Sequence, residues 1–70
     1  MEYDAIIEEW IMSNGIIWGL ILEDKKGRFR DKTYIHTSTI LSNIKIIKEG
    51  DIITTKNSKY LLGKKGYDGK

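Results

Sequence analysis

Seventy residues, 40% apolar and 31% charged with no cysteine and no proline, accommodate one small domain and exclude a disulfide scaffold or a cysteine-based zinc module. Twelve basic and ten acidic residues leave a net charge of +2, far from the basic excess of a dedicated duplex-DNA binder, so no stable duplex binding is expected. With a single histidine no metal site is expected and no cofactor motif is visible, and because so short a chain buries only about 60–65% of its unfolded surface, a homo-oligomer, dimer or tetramer, is the expected supplement to the core.

The acidic start Met1-Glu2-Tyr3-Asp4 lacks the basic opening and apolar run of a secretory signal, and no window approaches a membrane span. The chain therefore reads as soluble and cytoplasmic, without a membrane partner. Charge is unevenly distributed: residues 1–44 carry a net −2 and residues 45–70 a net +4, which makes the C-terminal third the anion-facing part.

Isoleucine supplies thirteen of the apolar residues and alanine occurs once, a bias toward β-branched side chains that favours strands. The expected fold is mainly β, a small antiparallel sheet or barrel of about five to six strands occupying residues 1–63, with 64–70 as a flexible basic tail. In the first segment Ile6, Ile7, Trp10 and Ile11 share one helical face, whereas the same residues alternate only brokenly as a strand. Helix and strand both remain open there, although Ser13-Asn14-Gly15 reads as the turn of a hairpin.

Residues 16–23 form the first strong strand, with Trp18/Leu20/Leu22 on one face and Ile17/Gly19/Ile21 on the other, so it is expected to be buried on both sides or covered by another subunit. Gly19 fits a bend or bulge. Lys26-Gly27 then turns the chain toward a second strand over 33–40, placing Ile35, Thr37 and Thr39 opposite Tyr34, His36, Ser38 and Ile40. Shorter strands are expected over 44–47, 52–56 and 59–62, separated by the Glu49-Gly50 and Lys56-Asn57-Ser58 turns.

Both arginines of the chain sit in Gly27-Arg28-Phe29-Arg30-Asp31, and guanidinium forks hold phosphate by two points where lysine offers a point charge. Arg28 and Arg30 are therefore candidate phosphate ligands, although a polar turn with Phe29 in the core and an arginine paired to Asp31 fits the same residues. His36, Thr37, Ser38, Lys56 and Asn57 offer hydrogen-bonding groups for base edges, ribose or phosphate, and equally suit ordinary strand and turn positions. Trp18, Tyr34, Tyr60 and Phe29 are candidate stacking surfaces, with Trp10 and Trp18 better placed in a core or subunit interface and the tyrosines left as the better platforms. His36 shares a strand face with Ser38, but no nucleophile-elbow sequence surrounds that serine and the adjacent acidic pairs point apart, so no catalytic residue is assigned and a non-enzyme is expected.

The stretch from Gly27 to Ile40, followed by Thr54-Thr55-Lys56-Asn57-Ser58-Lys59-Tyr60-Leu61-Leu62-Gly63, resembles a group of very small bacteriophage proteins with an Arg-Phe-x-Asp-Gly turn, then Ile-x-Thr-Ser-x-Ile, then Thr-x-Asn-Ser-x-Tyr-x-Leu-Gly. The similarity spans most of residues 10–63 and favours a strand at Trp10. Lys32 departs from it, standing where that group usually has glycine. Such proteins are similar to anti-CBASS sponges, phage anti-defence proteins that sequester cyclic dinucleotides during immune evasion. The resemblance implies a compact β module taking a 3′,3′-cGAMP-like ligand at a subunit interface in the host cytoplasm. Arg28 and Arg30 would meet phosphates, Tyr34 or Tyr60 would stack on bases, and His36, Thr37, Ser38 and Asn57 would read base or ribose edges.

Sequestration of a cyclic dinucleotide is thus the leading expectation. A small barrel binding single-stranded nucleic acid through aromatic and lysine-rich strands is the alternative, as is a protein-binding inhibitor of a host enzyme or a minor structural protein. A phosphodiesterase ranks last, because one histidine supports neither a metal centre nor an acid/base pair.

Overall fold

A computed structural model describes residues 3–41 and 47–66 and shows five strands: β1 (Ala5–Ser13), β2 (Ile16–Leu22), β3 (Thr33–His36), β4 (Ile52–Thr54) and β5 (Lys59–Leu62). They form one sheet in the order β3-β2-β1-β5-β4, antiparallel except where β1 runs parallel to β5. After β3 the chain continues to β4: Ile40 bridges Thr55, and the Leu41 amide donates to the Thr54 carbonyl at 2.8 Å. That contact brings the segment after β3 against the end of β4, so the two outer strands of the sheet are joined at one point.

The first hairpin follows from its turn residues. Asn14 and Gly15 have φ of 54° and 74°, and a two-residue turn with both angles positive matches the twist of the strands it joins. Ser13 consequently pairs with Ile16 and Met12 with Ile17, which fixes the register of both strands.

The amino-terminal segment is a strand, and a bulge accounts for its helix-like spacing. Between Glu8 and Ile11 the register against β2 slips by one residue, and Glu9 takes the left-handed conformation with φ of 52°. Ile7 and Trp10, three apart in sequence, are thereby both turned inward and fully buried. Gly19 lies opposite on β2, where a Cβ would stand 2.8 Å from the Glu8 carbonyl oxygen and 3.0 Å from the Trp10 Cα. Only glycine lets the bulged backbone come so near.

The interior consists of Ala5, Ile7, Trp10, Ile17, Ile21, Ile35, Ile53, Tyr60 and Leu62. Trp10 satisfies its indole N–H by donating to the Gly63 carbonyl at 2.9 Å, so the largest core side chain leaves no stranded donor. Residues 64–66, expected in a tail, extend the ladder along β1 instead: Glu9 N donates to Lys64 O at 2.7 Å and Gly66 N to Trp10 O at 2.7 Å. The strand expected over 44–47 lies outside the described residues except for Ile47, which packs partly buried against the core.

Candidate nucleobase-binding face

The outward-pointing residues of β2 and β3 form one surface. Pairing of Trp18 with His36 and of Leu20 with Tyr34 places these four side chains on the same face, opposite Ile17, Gly19, Ile21 and Ile35. Ile11 and Glu8 of β1 continue the face beyond β2. Trp18 and Leu20 are half-buried, His36 is exposed, and Tyr34, on the outer strand β3, is 61% exposed. The Trp18 and His36 rings lie 4.8 Å apart between centroids with their planes tilted by 36°. Neighbouring flat rings on a rigid sheet present π faces without the entropic loss of ordering a loop.

At the foot of this face the chain enters β3 through Arg30, Asp31 and Lys32. The Lys32 amide donates to Ile21 O at 2.6 Å, and the Thr33 hydroxyl donates to Arg30 O at 2.7 Å. Lys32 adopts φ of 68°, so the position where glycine was expected does use a glycine-like conformation. Arg30 and Lys32 are exposed, and among the described residues neither side chain has an ionic partner. Two exposed cations thus precede Tyr34 in the chain.

Arg28 is engaged elsewhere, contrary to its expected role as a phosphate ligand. Its Nε and Nη2 donate to the two Asp24 carboxylate oxygens at 3.2 Å each, and its Nη1 donates to Ser58 Oγ at 3.0 Å. Burial alone would lower the Arg28 pKa, but hydrogen bonding to Asp24 and to the Tyr60 hydroxyl outweighs it and raises the value. Burial likewise pushes the Asp24 carboxyl up, yet the bonds from Arg28 and the Lys26 amide prevail and hold it below the usual carboxylate range. This pair is a structural clamp.

Two further expected site residues are internal. Thr37 is 3% exposed, its hydroxyl accepting from the Ile17 amide at 3.2 Å and donating to Ser38 O at 2.7 Å. Tyr60 is 4% exposed and packs in the core, because β5 alternates Tyr60 and Leu62 inward with Leu61 outward. Neither side chain is presented to a ligand.

Lys56 and Asn57 remain exposed on the turn between β4 and β5. Asn57 Nδ2 donates to Ser38 Oγ at 2.9 Å, tying that turn to the segment after His36. Ser38 is therefore bonded to Asn57, and among the described residues no hydrogen bond joins it to the imidazole. A groove of about 390 Å³ runs beside the turn, between Tyr3-Asp4 and residues 54–59. A second, of about 600 Å³, lies between Trp10–Ser13 and Ile47, Lys65 and Gly66.

Of the expected residues, Tyr34 and His36 share the ring face, Arg30 lies in the loop that leads into β3, and Lys56 and Asn57 lie toward the β4–β5 turn. Trp18 is the member that sequence reasoning placed in a core or interface. The signal that identifies it is its parity with Leu20 across the Asn14-Gly15 hairpin, opposite the wholly apolar Ile17/Ile21 face. Among the described residues no three His, Cys, Asp or Glu side chains group as metal ligands would, and no helix is long and apolar enough to cross a membrane. Compared with family models, with curated proteins and with solved structures, the chain matches none of them.

Proposed function

We propose that this protein is a non-catalytic binding module that holds unpaired bases of single-stranded nucleic acid on the outer face of β2 and β3. The observation that carries this is the grouping of Trp18, His36 and Tyr34 on one solvent-facing surface, with Tyr34 61% exposed. Each base stacked on such a ring contributes about 1–3 kcal/mol and needs no particular sequence. Arg30 and Lys32 supply phosphate contacts at the edge of the face, so few ion pairs form and the modest net charge of +2 suffices. Glu8, on the same face, is turned aside by accepting from the Lys64 amide at 3.2 Å.

The cyclic dinucleotide implied by the resemblance is the second reading. Its support is that Tyr34 and His36, two residues apart on β3, offer two rings to a ligand with two bases. With Arg28 clamped and Thr37 and Tyr60 buried, a pocket for it would have to be completed by a second protomer related by a two-fold axis.

Intrinsic fluorescence titrated with a homopyrimidine oligonucleotide, at several salt concentrations and in parallel with a panel of cyclic dinucleotides, tests both. Saturable quenching by the oligonucleotide whose affinity falls as salt rises is expected. Tight binding of a cyclic dinucleotide, with none of the oligonucleotide, transfers the face to the second ligand class.

A further inference from the structure

We infer that the loop between β2 and β3 is a second, preorganised nucleotide-binding element, in which Phe29 stacks on one further unpaired base and Arg30 meets the adjoining phosphate. This rests on the reading of the Trp18/His36/Tyr34 surface as a nucleobase face, and it extends that surface beyond the sheet.

The loop is fixed to an extent that its glycine and charge content do not suggest. The Asp24 side chain is 1% exposed and accepts from three backbone amides, those of Lys26, Arg28 and Phe29, at 3.1, 2.8 and 3.2 Å. It also accepts both contacts from the Arg28 guanidinium. Gly27, with φ of 68°, closes the turn by donating to Asp24 O at 3.0 Å. Lys26 Nζ reaches Asn57 O at 2.6 Å and Ser58 Oγ at 3.1 Å, so together with Arg28 it fastens the loop to the β4–β5 turn. At its far end Asp31 accepts from the Glu23 amide at 2.9 Å, and Arg30 O accepts from Thr33.

What this rigid frame displays is apolar. Phe29 is 42% exposed, with the Arg28 guanidinium 5.7 Å from its ring centroid. A lone exposed apolar side chain on a mobile loop calls for no explanation. Here the loop has already lost its conformational freedom, so a ligand meeting Phe29 loses little entropy on ordering it.

The occupant follows from charge and continuity. Over the whole loop, residues 23–32, five side chains are basic and three acidic. Lys26 and Arg28 are paired with Asp4 and Asp24, whereas Arg30 and Lys32 have no ionic partner among the described residues, and these two cations beside an exposed ring favour an anion carrying flat apolar groups. Arg30 is hydrogen-bonded through its carbonyl to Thr33, the residue immediately before Tyr34, so the loop leads without a break into the strand that carries Tyr34 and His36. Aromatic and cationic groups side by side are what unpaired nucleotides require.

The experiment compares binding of a homopyrimidine trimer and a homopyrimidine octamer to the wild type, Phe29→Ala, Phe29→Tyr, Arg30→Ala and Tyr34→Ala, with melting temperatures recorded for each. Phe29→Ala is expected to weaken the octamer about tenfold while leaving the trimer unchanged, Phe29→Tyr to restore the octamer, and Tyr34→Ala to weaken both. Arg30→Ala is expected to weaken the octamer and to reduce its salt dependence by about one phosphate contact. Unchanged octamer binding by Phe29→Ala overturns the loop subsite while leaving the ring face standing. Equal weakening of both oligomers, or loss tracking a lowered melting temperature, also overturns it. Failure of the wild type to bind either oligomer removes the ring face itself, and the loop subsite with it.

Discussion

Trp18 leans on His36 across the β2–β3 ladder, their ring centroids 4.8 Å apart, and the pair leaves the neighbouring Tyr34 ring standing clear in solvent. A domain of this size has few large rings to place outside its core, and here three share one face of the sheet, Trp18 and His36 in contact and Tyr34 beside Leu20.

Truncating that surface should separate binding from folding. Tyr34→Ala is expected to weaken single-stranded oligonucleotide binding by roughly 5- to 150-fold, equivalent to the loss of about 1–3 kcal/mol of stacking. Because Tyr34 is exposed, stability should change by about 0.5 kcal/mol or less. Parallel fluorescence titration and urea unfolding check the two quantities. Retained affinity in a folded Tyr34→Ala variant would remove the ring from the site.

Gly19 makes the opposite kind of prediction, one of stability. A methyl group there would sit 2.6 Å from Ile7 Cγ2 and 2.8 Å from the Glu8 carbonyl, and the backbone carbonyl cannot rotate away as a side-chain terminus can. Gly19→Ala should cost about 1–3 kcal/mol through overpacking at the bulge, most of what a core of this size supplies. Urea denaturation with an unchanged slope and a lower midpoint is the expected result.

The same bulge marks the limit of what local pattern reveals. Asn14-Gly15 announced its hairpin because few other dipeptides accept two positive φ angles, and the parity of Ile17/Ile21 against Trp18/Leu20 survives intact in β2. In β1, however, one extra residue at Glu9 shifts the inward set from Ala5 and Ile7 to Trp10, which reproduces helical spacing within a strand. Tyr60 shows a different ambiguity: Tyr60-Leu61-Leu62 is apolar in either phase, so only the pairing with Ala5 and Ile53 decides that the phenol goes inward. Arg28 is paired with Asp24, four residues before it, rather than with Asp31; what the local sequence does not show is that three backbone amides organise that carboxylate and that a serine thirty residues away takes the remaining guanidinium nitrogen.

Asp24 should make the loop, and with it part of the fold, sensitive to acid. Against the upward push of burial, the Arg28 and amide hydrogen bonds hold its folded pKa below the ordinary carboxylate range, so its contribution is present in full above that range and is lost as pH falls through the lower folded pKa. Asp24→Asn should therefore destabilise the protein at neutral pH, by about 1.5–3 kcal/mol if hydrogen bonds to a charged group set the scale, and the gap to wild type should narrow below about pH 4. Thermal melts of both proteins across that range provide the check. A gap independent of pH would mean that the carboxylate charge does not hold the loop.

Thr37 offers a test between a ligand contact and a structural bond at a residue where both were plausible from sequence. Its hydroxyl is the acceptor for the Ile17 amide and a donor to Ser38 O in the interior, 3% exposed. Thr37→Val retains nearly the same shape but leaves the Ile17 N–H without that acceptor, which should cost about 1–3 kcal/mol of stability. Oligonucleotide affinity, measured where the variant remains folded, should stay within twofold of wild type, because the residue faces away from the Trp18/His36/Tyr34 surface. A variant of undiminished stability that binds poorly would place the hydroxyl at the ligand and require β3 to present its other face.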